Sequence, residues 1–204
     1  LNRFKIKNQN YIARLTAPAL VAAAVLVIDQ WSKIWVKTNM YLGQEYRIAD
    51  WFIIHFTENP GMAFGWEFAG EYGKIFLTLF RIAAVFGIVY YLIKIIRENQ
   101  PIGLVLSIAL IFAGALGNII DSVVYGVVFD HSHHQIASFL PESGGYAKVF
   151  YGNVVDMLYF PLFSGHFPDW MWKVGGDYFL FFRPVFNVAD TAISTGVISI
   201  VVFQ

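Results

Sequence analysis

Two short elements of this chain share one pattern, an Asn followed by two apolar residues and an Asp. They are Asn118–Asp121 and Asn187–Asp190, and each lies in a hydrophobic run long enough to cross a bilayer. In a helix the i, i+3 spacing places the Asn and the Asp on the same face. A carboxylate inside a membrane span is energetically costly, so it indicates a functional site.

Other charged groups accompany these runs. Asp29 and Lys33 lie four residues apart in the first run. They form either an ion pair that eases insertion or a pair that positions something bound between helices. Asp156 lies between two runs and is flanked by apolar residues. Two carboxylates that share a proton can activate a water for amide hydrolysis, because like charges a few ångströms apart cannot both ionise.

Composition favours a membrane protein. Of the 204 residues 57% are hydrophobic and 14% are charged, whereas roughly a quarter of a soluble domain is charged. The net charge of zero gives no sign of a nucleic-acid partner. The lack of cysteine excludes disulfides, thiol nucleophiles and cysteine-ligated zinc. We interpret His131, His133 and His134 as a solvated loop, and we expect neither a metal nor another cofactor.

Four segments reach the length of about 20 apolar residues that a transmembrane helix needs. We expect Pro184 in the first turn of the fourth helix, where its missing N–H carries no cost, and Asp190 about two turns further in. The pattern predicts an all-α polytopic membrane protein with four transmembrane helices, a small extracytoplasmic β element and a surface loop insertion. The predicted spans are approximately residues 16–36, 74–96, 102–128 and 184–204, all within one domain, 1–204.

Basic residues predict the orientation. The N-terminal tail carries Arg and Lys without an acid, and Lys94 and Arg97 lie between the second and third spans. Positive residues favour the cytoplasmic side, so we predict cytoplasmic termini and place loops 37–73 and 129–183 on the outer side. We expect that the first span is not a cleaved signal peptide, because it is long for such a segment and lacks a small-residue cleavage site at its end.

The two outer loops are predicted to be folded. Residues 51–56 have the composition of a strand, and a turn is expected at 59–61. We interpret residues 129–180 as a folded loop at the membrane surface.

Five motifs in order resemble those of the prolipoprotein signal peptidases, also called signal peptidase II. The resemblance covers most of the chain and all four predicted spans. The matching segments are Asp29–Lys33, Asn59–Gly65, Gly114–Asp121, Gly152–Asp156 and Phe186–Asp190.

The resemblance implies an aspartic endopeptidase of the bacterial inner membrane, with its active site near the periplasmic face. Its partners would be lipid-modified prolipoprotein signal peptides and membrane lipids, and it would cut before the diacylglyceryl-modified cysteine as a monomer. Carried over by motif, the catalytic carboxylates would be Asp156 and Asp190. The supporting residues would be Asn59, Asn118, Asp121, Asn187, Asp29 and Lys33.

Two features depart from the family pattern. The Arg that usually follows the first Asn-x-x-Asp is Ser122, and the segment between Asp121 and Asp156 is longer than usual. The usual spacing points to Asp130, but the sequence around Asp130 matches the family motif less well. We therefore predict Asp156, with Asp130 as the alternative. Residues 129–150 would then be an insertion near the site.

A small proton-coupled carrier is an alternative function. Asp29, Asp121 and Asp190 would allow a proton path through three of the four spans. A carrier, however, predicts acids distributed through the thickness of the membrane, whereas these acids lie near its outer side. A third possibility, a scaffold held by intramembrane polar pairs, does not account for the motifs in the outer loops.

Overall fold

The computed structural model describes residues 2–60 and 70–203, which form helices and a small β region. The helices are α1 (Asn2–Asn39), α2 (Gly70–Arg97), α3 (Ile102–Ile120), α4 (Gly126–Val128) and α5 (Val188–Phe203), with a π-helical turn, Asp121–Tyr125, between α3 and α4. The strands are β1 (Glu45–Ala49), β2 (Phe52–Asn59), β3 (Val154–Tyr159), β4 (Phe163–His166), β5 (Tyr178–Phe181) and β6 (Val185–Phe186).

Three helical segments of the described chain are long and apolar enough to cross a membrane: Arg14–Asn39, Gly73–Arg97 and Ile102–Val128. They coincide with the first three predicted spans. Helix α3 is central and contacts α1, α2 and α5. Large apolar side chains of α2 point outward, where lipid would cover them; Phe76 and Phe86 are 71% and 72% exposed.

The fourth apolar helix is shorter than predicted. Helix α5 has 16 residues and starts at Val188, so the prediction that Pro184 lies in its first turn is wrong. Val185 and Phe186 instead pair with Tyr159 and Leu158 of β3. Because these residues belong to the sheet, the helix starts further along the chain. Asp190 therefore lies in the first turn of α5 and not two turns inside it.

The β region is larger than the sequence indicated. A four-stranded antiparallel sheet has the order β1-β2-β3-β6, and β4 pairs with β5 in a separate hairpin. The predicted strand over 51–56 corresponds to β2, but β1 and β3–β6 were not predicted. The turn expected at 59–61 and the rest of its motif extend beyond residue 60, outside the described residues.

A hydrophobic cluster fixes the sheet against the helices. It joins the last turns of α1 to β2, β3 and the π-helical turn, through buried residues that include Met40, Phe56, Tyr125, Val155 and Met157. Residues 129–150 cover the same end of α1: Leu42 N donates to Ser132 O and Ala137 N to Lys37 O. The insertion also reaches the residue before β3, since the Tyr146 hydroxyl accepts a hydrogen bond from Asn153 N.

Two glycines allow α3 to approach its neighbours closely. A Cβ at Gly114 would overlap the carbonyl oxygen of Ala189 in α5, and one at Gly117 would lie 2.6 Å from Asp29 Oδ2 in α1. Small residues permit this kind of contact between helices in a membrane. The Gly-Ala-Leu-Gly sequence therefore has a packing role that places three helices around the same polar groups.

Candidate active site

A buried ammonium group lies at the centre of the polar cluster. Lys33 Nζ is 2.9 Å from Asp29 Oδ2, 2.8 Å from Asp121 Oδ2 and 2.9 Å from Asn118 Oδ1. Lys33, Asp29 and Asp121 are all 0% exposed. A buried charge needs close partners and hydrogen bonds to offset its lost hydration. The ion pair within α1 thus extends to Asn118 of α3 and to Asp121 of the π-helical turn, and it orients both residues.

Asp29 also fixes the start of α5. Its Oδ1 accepts a 2.9 Å hydrogen bond from Ala189 N. The first backbone N–H groups of a helix have no partner within the helix, and a negative charge beside them is favourable. The residue that follows Ala189 is Asp190, so α1 helps to position one of the two predicted catalytic carboxylates.

The two predicted catalytic carboxylates are joined by Asn187. Its Nδ2 donates to Asp156 Oδ1 at 2.7 Å, and its backbone N donates to Asp190 Oδ2 at 3.3 Å. Asn118 Nδ2 donates to Asp190 Oδ1 at 2.8 Å. Because Lys33 can only donate, the Asn118 oxygen faces Lys33 and its NH₂ group faces Asp190. The structure therefore brings Asp156 and Asp190 into one hydrogen-bonded group.

The two Asn-x-x-Asp elements have different local structures. Asn187 precedes α5, and its Oδ1 accepts a 2.9 Å bond from Asp190 N while Asp190 Oδ2 accepts from Asn187 N. This reciprocal arrangement is a capping box, with Asp in place of the usual Glu or Gln. Asn118 instead lies inside α3 and Asp121 starts the π-helical turn. The expectation that both elements are helical faces is wrong for the second.

Asp121 connects three elements. Its Oδ2 accepts from Val155 N of β3 at 3.2 Å, and its Oδ1 accepts from Gln30 Nε2 of α1 at 3.0 Å. π-Helical turns inside α-helices occur frequently at functional sites. Gln30 also donates to Gly117 O at 3.2 Å and was not among the predicted site residues. The sequence signal that could have identified Gln30 is that it is a polar residue inside a span, next to Asp29.

Asp156 is the more buried of the two carboxylates, at 5% exposure. Burial raises the pKa of its carboxyl from an ordinary 3.8 to about 7, and the nearby charge of Asp190 contributes in the same direction. The hydrogen bond from Asn187 opposes part of that rise. Near neutral pH, therefore, Asp156 exists in both protonation states.

The other acidic candidate, Asp130, is held elsewhere. Its Oδ1 accepts a 2.6 Å bond from Ser138 N on the exposed surface of the insertion.

Asn59 ends β2, where the register pairs it with Val154 of β3. Arg81 of α2, a charge inside a span that we did not assign to the site, interacts electrostatically with both Asp190 and Asp156.

No metal site is formed by the described residues. Within 2–60 and 70–203, no three His, Asp or Glu side chains are grouped so that they could hold a metal ion. The rings of His131 and His133 have centroids 6.4 Å apart.

Comparison with known proteins gives consistent results. A family model described as signal peptidase (SPase) II matches residues 21–142 and 143–204. The lipoprotein signal peptidase of Porphyromonas gingivalis is 51% identical over 197 residues, which cover 95% of this chain and 86% of that protein. That of Amoebophilus asiaticus is 41% identical over 186 residues, which cover 89% and 74%. A bacterial membrane enzyme solved by the in meso method at 2.3 Å resolution superposes with a TM-score of 0.60 at 25% identity, covering 92% of this chain and 86% of that one.

Proposed function

Because the chain belongs to the signal peptidase II family, we propose that Asp156 and Asp190 are the catalytic dyad of an aspartic endopeptidase. Family membership and the apolar helices make it a multi-pass bacterial membrane protein that cleaves signal peptides from prolipoproteins. The observation that supports the dyad is the double donation by Asn187, which binds Asp156 through its amide and Asp190 through its backbone N–H.

The proposed mechanism assigns one proton to the dyad. Asp190 accepts hydrogen bonds from Asn118 Nδ2 and Asn187 N, and we assign it the role of the base. Asp156 is more buried and holds the proton. Asp190 takes a proton from the attacking water while Asp156 donates to the scissile carbonyl oxygen. Collapse of the tetrahedral intermediate then breaks the C–N bond, and a proton from the dyad passes to the leaving amine.

The remaining predicted residues would hold this geometry. Lys33 balances the buried charges of Asp29 and Asp121 and orients Asn118. Asp29 fixes the first turn of α5 through Ala189 N. We propose that Asn59 supports β3 from the end of β2. None of these groups needs to exchange a proton with the substrate.

The substrate would enter from the bilayer. We propose that the diacylglyceryl chains remain in contact with membrane lipids while the signal peptide reaches the dyad, and that cleavage precedes the lipid-modified cysteine. Basic residues at the opposite ends of the helices support cytoplasmic termini and a periplasmic active site. The proposed unit is a monomer in the inner membrane, and the dyad requires no cofactor.

Three matched variants test the dyad. Asp156→Asn and Asp190→Asn should lower the turnover of a lipidated precursor peptide in detergent at least about a thousandfold. Asp130→Asn removes a carboxylate of the same type from the insertion and should keep normal turnover. Near-normal turnover by folded Asp156→Asn would contradict the dyad, and retained turnover by Asp190→Asn would reject aspartic catalysis. The alternative carrier function would instead give proton-coupled flux in vesicles.

A further inference from the structure

A second buried polar cluster links the insertion to the sheet. Lys37 Nζ lies 2.6 Å from Glu58 Oε1 and 3.1 Å from Ser132 Oγ, and Ser132 Oγ lies 3.0 Å from the same Glu58 oxygen. The side chains of Lys37 and Glu58 are 0% and 9% exposed. These three residues come from α1, β2 and the insertion, so one ion pair joins three parts of the chain.

Asn153, the residue directly before β3, completes this cluster. Its Nδ2 donates to Glu58 Oε2 at 2.9 Å, and its Oδ1 accepts from Lys74 Nζ of α2 at 2.7 Å. Its backbone N donates to the hydroxyl of Tyr146 at 2.7 Å. Asn153 therefore contacts β2, α2 and the insertion at once. Asp156 lies three residues further along the same segment.

The charges in this cluster are held in fixed positions. Burial would raise the pKa of Glu58, but the Lys37 ammonium and the hydrogen bonds from Asn153, Lys37 and Ser132 lower it below its ordinary value. Lys37 Nζ also lies 5.4 Å from the ring centroid of Phe129, within the range of a cation–π interaction. A buried ion pair is often no more stable than packed apolar residues, so a geometric role accounts for it better than stability.

The backbone alone holds Asp156 incompletely. The β2–β3 register pairs Thr57 with Asp156, but it shifts between Thr57 and Ile54. The regular ladder is thus interrupted directly after Asp156. Two side chains hold the preceding residues: Glu58 binds Asn153 and Asp121 Oδ2 binds Val155 N.

We propose that Glu58 and Asn153 are positioning residues that fix Asp156 against Asp190, and that the insertion contributes by holding both of them. This proposal rests on the proposed dyad. Ser132 contacts Glu58, and Tyr146 contacts the backbone of Asn153. The lengthened segment between Asp121 and Asp156 would thereby support the catalytic strand. The proposed role of both residues is to hold Asp156 in place and not to bind the substrate.

The first test uses Asn153→Ala, which removes no charge. A misplacement of about 1 Å can cost up to about a hundredfold in rate, so kcat should fall by about tenfold to a hundredfold. The KM should change by less than about twofold, because the positioning residues act on the dyad and not on substrate binding. The shape of the pH profile should persist, and the Val155 amide should exchange faster while α1 and α3 keep their protection.

The second test separates positioning from stability. The double variant K37M/E58L replaces the ion pair with apolar side chains and leaves Asn153 without its acceptor. It should retain the parent's melting temperature within a few degrees, yet its kcat should stay as low as that of Asn153→Ala. The double variant K94M/E98L is the control, since it removes the same two charges from the half-exposed Lys94–Glu98 pair, 4.0 Å apart.

The outcomes are distinct. A kcat within about twofold of the parent in Asn153→Ala, with unchanged Val155 exchange, would overturn the positioning role. Full recovery of kcat together with stability in the double variant would show that the cluster is merely structural. If the parent itself fails to cleave a lipidated precursor, the proposed function fails, while hydrogen exchange at Val155 still tests whether the cluster holds β3.

Discussion

Replacing Asp156 with asparagine should make the protein more stable, and the gain should depend on pH. Asp156 is buried beside Asp190, and its pKa is raised from 3.8 to about 7. An acid whose pKa is higher in the folded state favours folding while it is protonated. That advantage is complete below the unfolded pKa and is lost as pH rises through the folded pKa. Above pH 7 the buried charge therefore destabilises the parent, whereas a neutral amide does not.

The size of the effect follows from the difference between the two pKa values. Each pKa unit corresponds to 1.36 kcal/mol, so the rise from 3.8 to about 7 corresponds to about 4 kcal/mol in the free energy of unfolding. The introduced amide would keep an oxygen that can accept from Asn187 Nδ2, as Asp156 Oδ1 does at 2.7 Å. The advantage of Asp156→Asn should thus be at most about 4 kcal/mol at pH 8.5 and close to zero near pH 4.

The assay is chemical or thermal unfolding in detergent from pH 4 to 8.5, with parent and variant measured side by side. Asp177→Asn is the control, because Asp177 is exposed and a surface change should stay within about 0.5 kcal/mol at every pH. An equal stability change at pH 4 and pH 8.5 would refute the argument. So would the absence of any gain at pH 8.5, since the ionised Asp156 carboxylate would then not destabilise the fold.

Other substitutions test the polar cluster and the helix packing. Lys33→Met leaves two buried carboxylates unpaired and should lower the free energy of unfolding by about 3–5 kcal/mol. Lys94→Met, at a half-exposed position, is the control and should change the free energy of unfolding little. Equal losses in the two variants would contradict the central role of Lys33. Gly114→Ala places a Cβ against the carbonyl oxygen of Ala189 and should lower the free energy of unfolding by about 1–3 kcal/mol or more. Gly87→Ala is the control in the same unfolding assay, because a Cβ there would have nothing within 4 Å. Asn187→Ala removes the N-cap of α5, which should lower the free energy of unfolding by about 0.5–2 kcal/mol. It should also lower kcat, because both carboxylates accept a hydrogen bond from Asn187. A change in stability without a change in kcat would contradict the proposed link between the two carboxylates.

Composition and hydropathy predicted the three long apolar spans. The first three apolar runs became helices at nearly the predicted positions, because length and hydropathy suffice to specify a membrane helix. Asp29 and Lys33 were placed on one face by their i, i+4 spacing, which the 2.9 Å pair confirms. The start of α5 was missed, because pairing with β3 competes with helix formation at Val185 and Phe186.

The motifs by themselves identified the carboxylates, the amides and the charged pair, because residue type and spacing along one helix are visible in the sequence. The resemblance paired Asp156 with Asp190, but it did not indicate which side chain joins them. The tertiary structure decided that Asn187 joins Asp156 to Asp190. It also brought the insertion to the start of β3 through Glu58. The physical reason is that such hydrogen bonds depend on how sheet and helices pack, and packing is set by the whole chain.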